Sequence, residues 1–533
     1  MSQDPRLSRG KEGDEHGTKG EGAPLTRTTL SGLFWMFMGT GAQALLQIVV
    51  VAVLARLLNP EDFGVVSAAL IIVGFSSIFS QLGVGPAVVQ RPQLEDRHVK
   101  TGFTLSLIFG LLMTGAVWLF APTAARFFHI EELPHVIRVL SFVFTLQGVS
   151  MIAEALVQRE LRFRWLAVIE VTAFVAGYGA FGVTLAYLGF GVWALVGAQL
   201  AQAALKTVIL LIVQPHPKGL MLERRALTDL MYFGGGFTAA RIGNYIAGQV
   251  DNLVVGRWLG PEALGIYGRA HQLMTAPANF FGQVLDRVLF PAMVKIQDHS
   301  QRLTVAYRRG VALIALVMLP ASAVLFVLAP ELIHVLLGPQ WHGVIAPFQV
   351  FAVGMILRTS YKMSDSMARA TGAVYRRAWR QSIYAVLVAA GAWAGLRWGL
   401  SGVALGVLVA IAVNFFLMAQ LSVSVAGISW GSILGAHRPA FVLTAILGLL
   451  TWGVRAPLRN WNISAPLILL AAGYVALVTT LLLVRFAPRL VLGADGLWML
   501  QTLGSYLPVK LDPFRSAAFD IDWTKPQERG STP

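Results

Sequence analysis

Residues 54–67 read LARLLNPEDFGVVS, and residues 255–268 read VGRWLGPEALGIYG. Aligned, the two segments share Arg56/Arg257, Leu58/Leu259, Pro60/Pro261, Glu61/Glu262 and Gly64/Gly265 at an offset of 201. Two weaker echoes follow in the same order. Ala121-Pro122 matches Ala329-Pro330 at an offset of 208, and Gly189, Ala194 and Leu195 match Gly399, Ala404 and Leu405 at an offset of 210. Ordered echoes with a slowly drifting offset are the mark of a duplicated unit. Locally the Pro-Glu turn starts a helix: Asn59 or Gly260 caps it, proline takes the first helical position, and glutamate complements the dipole. The turn therefore speaks to fold rather than to chemistry.

The sequence around these segments is that of a membrane protein. Of 533 residues, 56% are hydrophobic and 13% are charged, against about 25% charged in a typical soluble domain. Mean hydropathy is +0.65. Apolar stretches of the length that spans about 30 Å of hydrocarbon recur from Thr29 to Phe486. Their Leu, Val, Ala and Gly content suits closely packed helices, not the alternating pattern of a membrane barrel. The expected class is all-α, a polytopic membrane protein of about fourteen transmembrane helices. They are placed near 31–55, 63–85, 101–124, 135–157, 165–187, 191–213, 228–256, 262–289, 304–337, 343–368, 378–397, 402–426, 431–454 and 464–486.

The domain organisation follows from the repeat. Residues 1–28 mix both charge signs with Gly and Ser and read as a disordered cytoplasmic tail, not a signal peptide. Residues 29–213 form an N-terminal lobe of six helices and 214–427 a C-terminal lobe of six. Residues 428–487 add two helices, and 488–533 form a second cytoplasmic tail whose run LGADGLWMLQTLGSYL is expected on the membrane surface. Six is even, so both copies enter the membrane in the same orientation. That makes a parallel repeat about an axis along the membrane normal, a transporter architecture.

The net charge of +15 is a topology signal. One alternating set of loops holds Arg91, Arg97, Lys100, Arg159, Arg162, Arg164, Lys218, Arg224, Arg225, Lys295, Arg302, Arg376, Arg377 and Arg438. The other holds Arg56, Arg126, Arg257, Arg397, Arg455 and Arg459. The positive-inside rule then puts both termini in the cytoplasm. No basic soluble domain is present to bind nucleic acid.

Several function classes drop out. The chain has no cysteine, which removes disulfides, thiolate metal sites and a cysteine nucleophile. Its ten histidines are scattered and none forms HExxH. No phosphate loop or ATP-binding domain is seen, so no catalytic residue, metal or cofactor is expected. Gly234-Gly235-Gly236 reads as a flexible or broken helix start.

Polar residues inside the apolar stretches are the site candidates, because an intramembrane charge is costly and faces a cavity or a partner. On expected helix seven, Arg241, Asn244, Gly248 and Asp251 share one face. On helix eight, Arg269, Gln272, Ala276, Asn279, Gln283 and Asp286 continue that spacing. On helix ten, Arg358, Lys362, Asp365 and Arg369 do the same. Arg241 and Arg358 fall near the midplane, and a guanidinium fork suits a diphosphate. The substrate-binding candidates are Arg241, Asn244, Arg269, Gln272, Asn279, Arg358 and Lys362. The bland alternative is internal ion pairing, of Arg241 with Asp251 or of Lys362 with Asp365. In the N-terminal half, Thr40, Gln43 and Gln47 give a mild polar face; Gln147, Glu154 and Gln158 give another, and Glu170 stands alone. Asp251, Asp365, Glu154 and Glu170 are candidates for ion coupling. Against that, Glu154 is expected to pair with Arg159 or Arg162, and Lys206 is expected to snorkel to the interface.

The segments LARLLNPEDFGVVSAA, QLGVGPAVVQR, ALVQRELRFR and DNLVVGRWLGPEALGIYGRAHQLM resemble the polysaccharide transporter family, the Wzx-like O-antigen and exopolysaccharide flippases of the multidrug/oligosaccharidyl-lipid/polysaccharide superfamily. The resemblance covers roughly residues 28–450. It implies two six-helix lobes around a central cavity that opens alternately to either side. It also implies a substrate, an oligosaccharide on a polyprenyl diphosphate carrier, moved across the bacterial cytoplasmic (inner) membrane for surface polysaccharide or lipopolysaccharide assembly. Polysaccharide polymerase and export machinery are the implied partners, beside the lipid bilayer. The rivals are a cation-coupled multidrug exporter on the same scaffold, and a membrane polysaccharide polymerase or glycosyltransferase. The first would want acidic residues deepest, where this chain has basic ones; the second would favour a large extracytoplasmic loop, where the expected loops are short.

Overall fold

The computed structural model describes Gly41 and residues 46–81, 83–91, 93–217, 219–223, 242–243 and 245–506, without the side chains of 81, 283–288 and 502–506. The described residues are helical, with no strand among them. Ten stretches are long and apolar enough to cross a membrane, and one of these, Val374–Ala426, holds two helices. The chain is a multi-pass membrane protein. Most of the first expected helix (31–55) and the beginning of the seventh (228–256) lie outside the described residues, as do residues 1–28.

The chain divides into two compact units. One comprises Met1–Asn59 and Ala69–Ile242, the other Pro60–Ala68 and Gly243–Pro533. The helices in chain order are α1 (Leu46–Leu57), α2 (Pro60–Gln81), α3 (Val84–Gln90), α4 (Asp96–Phe128), α5 (Leu133–Leu140), α6 (Phe142–Arg159), α7 (Phe163–Phe174), α8 (Val183–Tyr187) and α9 (Val192–Val213). Then come α10 (245–258), α11 (Gly260–Lys295), α12 (Ser300–Val327), α13 (Ala329–Leu336), α14 (Ile345–Ala370), α15 (Val374–Gly395), α16 (Gly399–Ala426), α17 (Trp430–Asn460), α18 (Ala465–Phe486) and α19 (Pro488–Tyr506).

In the first unit α6 packs between α4 and α9. Ser106 on α4 donates to the Gly148 carbonyl at 2.8 Å, and Thr207 on α9 donates to the Leu146 carbonyl at 3.1 Å. Such cross-helix bonds substitute for a hydrophobic driving force, which lipid does not supply. Between α7 and α8 the helix widens into a π-helical segment, Val175–Gly182. A β-carbon at Gly177 would lie 2.6 Å from the Gln202 backbone nitrogen, so only glycine lets α9 approach there. The segment after α9 returns onto α4: the backbone NH of Met221 bonds Thr104, that of Glu223 bonds Thr101, and Glu223 pairs with Arg97 at 3.1 Å.

In the second unit the two repeat segments meet. A β-carbon at Gly64 would lie 1.7 Å from the Pro261 carbonyl oxygen, and one at Gly265 would lie 1.9 Å from that of Pro60. The contact is reciprocal, as between copies related by a local two-fold. Phe63 meets Trp341 edge-on at 5.2 Å beside it. Two expectations need correction here. The stretch 304–337 is two helices, α12 and α13, because Pro330 in the first turn of α13 cannot continue the preceding ladder. Pro122, its echo, stays inside the unbroken α4. Arg455 and Arg459 lie within α17, and Arg455 bonds Glu331 of α13 at 2.9 Å instead of sitting in a loop. The run after Pro488 is helix α19, bent at Gly493 and docked on its own unit: Asp495 pairs with Arg308 at 2.9 Å, Trp498 stacks under Arg309 at 3.6 Å, and Val491 is buried with Leu443 and Leu447.

Candidate functional site

Polar side chains gather at two places, one in each unit. In the first, α6 and α9 border a cavity of about 500 Å³. Gln147, Glu154 and Gln158 descend one face of α6, and Gln199, Gln202 and Lys206 descend the facing side of α9 at i, i+3 and i+7. Lys206 donates to Glu154 at 3.1 Å, with Glu170 at 3.8 Å. Tyr178, in the π-helical segment, donates to the Gln199 carboxamide oxygen. The carbonyl oxygen of Gln147 is buried with no hydrogen-bond partner.

These contacts overturn two expectations. Glu154 does not pair with Arg159 or Arg162. Arg159 donates to the carbonyls of Val88, Val89 and Arg91, and Arg162 bonds Gln214 at 2.8 Å and lies 3.5 Å from Glu160. Both guanidiniums tie down chain bends at the helix ends. Lys206 turns inward to Glu154 and does not snorkel. Gln199 and Gln202 were not singled out in the sequence, although their spacing with Lys206 carries the signal.

In the second unit Arg358 on α14 is half-buried. Tyr384 and Tyr361 lie within its electrostatic reach. Tyr267 and His271 lie within reach of both Arg358 and Asp251. Asp251 is only 3% exposed and accepts a bond of 2.8 Å from Tyr267. Among the described residues no carboxylate forms an ion pair with Arg358. Lys362, one turn on, reaches the Asn279 side-chain oxygen and the Ala278 carbonyl at 3.3 Å each. Arg269 stacks on Phe63 at 4.7 Å, and Gln272 lies half-buried on the same helix. Asp365 is held by Arg369 at 3.2 Å and by Arg377, so the alternative pairing with Lys362 is not what is seen. Arg241, Asn244 and the glycines 234–236 lie outside the described residues, as do the side chains of Gln283 and Asp286. No cluster of three metal-ligating side chains occurs among the described residues.

In both units polar side chains sit on helices long and apolar enough to cross a membrane. The chain is 25% identical over 472 residues to teichuronic acid biosynthesis protein TuaB of Bacillus subtilis, covering 87% of this chain and 97% of that one. It is 27% identical over 340 residues to lipopolysaccharide biosynthesis protein WzxC of Escherichia coli, covering 63% and 68%. It is 27% identical over 315 residues to succinoglycan biosynthesis transport protein ExoT of Rhizobium meliloti, covering 59% and 64%. Among solved structures, the lipid II flippase MurJ in an inward closed conformation superposes with a TM-score of 0.67 at 12% identity, over 84% of this chain and 98% of that one. A transporter of the multidrug/oligosaccharidyl-lipid/polysaccharide superfamily from Pyrococcus furiosus gives 0.52 at 17% identity, over 77% and 99%. These two likenesses show the fold. The profile of the polysaccharide biosynthesis protein family matches residues 53–346, more than half of the 533, and the chain belongs to that family.

Proposed function

We propose that the protein is a non-enzymatic flippase. It moves an oligosaccharide linked to polyprenyl diphosphate from the cytoplasmic to the outer leaflet of the bacterial inner membrane, by alternating access, for surface polysaccharide assembly. The observation that carries the reading is Arg358: a half-buried guanidinium on a membrane-spanning helix, close to tyrosines and with no described carboxylate paired to it. A charge at the bilayer centre costs at least about 2.5 kcal/mol. A diphosphate arriving there would offset that cost and match the fork of the guanidinium. Arg269, Gln272, Asn279 and Lys362 extend the polar surface along α11 and α14, with Arg241 and Asn244 as further proposed contributors. Of the acidic coupling candidates, Asp251 is favoured over Asp365, because Asp365 is engaged by two arginines. The lysine and arginine bias supports cytoplasmic termini. With the interior negative, outward movement of two negative charges through 100 mV gains roughly 4–5 kcal/mol.

The names of the relatives, each a polysaccharide biosynthesis or transport protein, support the substrate class. The test is binding of sugar-free polyprenyl diphosphate to the purified protein. Wild type should bind it, and Arg358→Ala should bind it at least tenfold more weakly. No binding by wild type would refute the reading.

A further inference from the structure

The α6–α9 cavity has a chemistry that the diphosphate does not use. We infer that it is the saccharide subsite, and that it takes neutral sugars in preference to acidic ones. The inference rests on the proposed flippase function and names what the first unit contributes to it.

Four carboxamides line the cavity, from Gln147, Gln158, Gln199 and Gln202. Each amide can both accept and donate, and sugar hydroxyls do the same, so such a wall recognises hydroxyl-rich, uncharged ligands. The volume of about 500 Å³ falls in the range of roughly 300–1,000 Å³ that small-molecule sites occupy.

Charge decides which sugars fit. Among the described lining residues the one ammonium is that of Lys206, which is bonded to Glu154 and lies 3.8 Å from Glu170. Two carboxyl groups stand against one ammonium, so the group carries no net positive charge whether or not Glu170 is ionised. Arg159, at the end of α6, is turned to the carbonyls of Val88, Val89 and Arg91. Among the described residues nothing at the cavity wall compensates the carboxylate of a hexuronic acid, and an uncompensated buried anion is strongly disfavoured. The two glutamines of α9 are held in place. Gly177 admits the α9 backbone at Gln202, and Tyr178 fixes the Gln199 amide with its hydroxyl.

The absence of cysteine makes the test direct. Ala203 lines the cavity beside these amides, so Ala203→Cys reports occupancy through its rate of maleimide labelling. A soluble neutral hexose trisaccharide at millimolar concentration should slow labelling at least threefold and saturably, and the matching hexuronic acid trisaccharide should not. Gln199→Leu or Gln202→Leu in the same background should remove the protection. In the Glu154→Gln variant, which frees Lys206 from one partner, the hexuronic acid compound should begin to protect. Equal protection by both trisaccharides in the parent, or none by the neutral one, would overturn the inference. The probes carry no lipid and no diphosphate, so failure of the carrier-binding reading leaves this outcome independent.

Discussion

The two units solve the problem of a polar interior differently. The first unit lines its cavity with amides and closes its charges on themselves, with Lys206 set between Glu154 and Glu170. The second unit also pairs two of its inner carboxylates, Glu331 with Arg455 and Asp365 with Arg369 and Arg377. Among the described residues Arg358 forms no such pair and lies close to Tyr384 and Tyr361. Charges that are paired hold helices together. A half-buried cation beside neutral hydroxyls keeps its capacity for an incoming anion. On the proposed function, one interior would suit the uncharged part of a substrate and the other its anionic part.

The strongest way to break this comparison is to remove Arg358. Arg358→Ala should reduce export of surface polysaccharide to background in a complementation assay, at unchanged protein level. Arg358→Lys should keep partial export, since it retains the charge and loses the fork. Wild-type export by the alanine variant would place Arg358 among the structural charges. The paired charges should behave in the opposite way. Glu331→Leu strands the Arg455 guanidinium, and losing one partner of a buried pair costs about 3–5 kcal/mol. Thermal unfolding in detergent should therefore drop by many degrees, and Glu331→Leu combined with Arg455→Leu should recover most of the loss. If the double variant is as unstable as the single, the pair is not what joins α13 to α17.

Gly177→Leu sharpens the comparison from the side of the first unit. The new side chain meets the α9 backbone at Gln202, and such overpacking costs about 1–3 kcal/mol. Unfolding should occur a few degrees lower, while binding of sugar-free polyprenyl diphosphate stays at the wild-type level. A parallel loss of carrier binding would show that the two interiors are not separable. The smallest effect is expected at Asp495→Ala. Arg308 is partly exposed, and exposed pairs contribute about 0–1 kcal/mol, so the unfolding temperature should shift by no more than a degree or two.

Much of the second unit was legible beforehand because charged residues stand out in an apolar sequence, and their spacing puts them on one face. Arg269, Arg358, Lys362 and Asp365 emerged in that way. The first unit was legible only in part. Gln147, Glu154 and Gln158 share a face of α6, but Gln199 and Gln202 carry no charge and disappear into the small residues of α9. The partner of Lys206 could not be read locally either. Glu154 lies 52 positions away, whereas Arg159 and Arg162 are near in sequence and turn instead to the carbonyls and polar side chains at the helix ends. The paired Ala-Pro echoes show the same limit: one proline starts a new helix at α13, and its counterpart sits inside α4. Tertiary packing decides between those outcomes. The docking of α19 was hidden for a related reason, since its run shows no marked apolar face that would name the helices it meets.

If Arg358 serves the anionic part of a lipid-linked sugar, translocation depends on it. Translocation of a polyprenyl-diphosphate trisaccharide in proteoliposomes can be followed by access of an external sugar-cleaving enzyme to the trisaccharide. Wild type should expose the sugar over time, and Arg358→Ala reconstituted at equal density should expose no more than empty vesicles. Translocation by Arg358→Ala at the wild-type rate would remove Arg358 from that role.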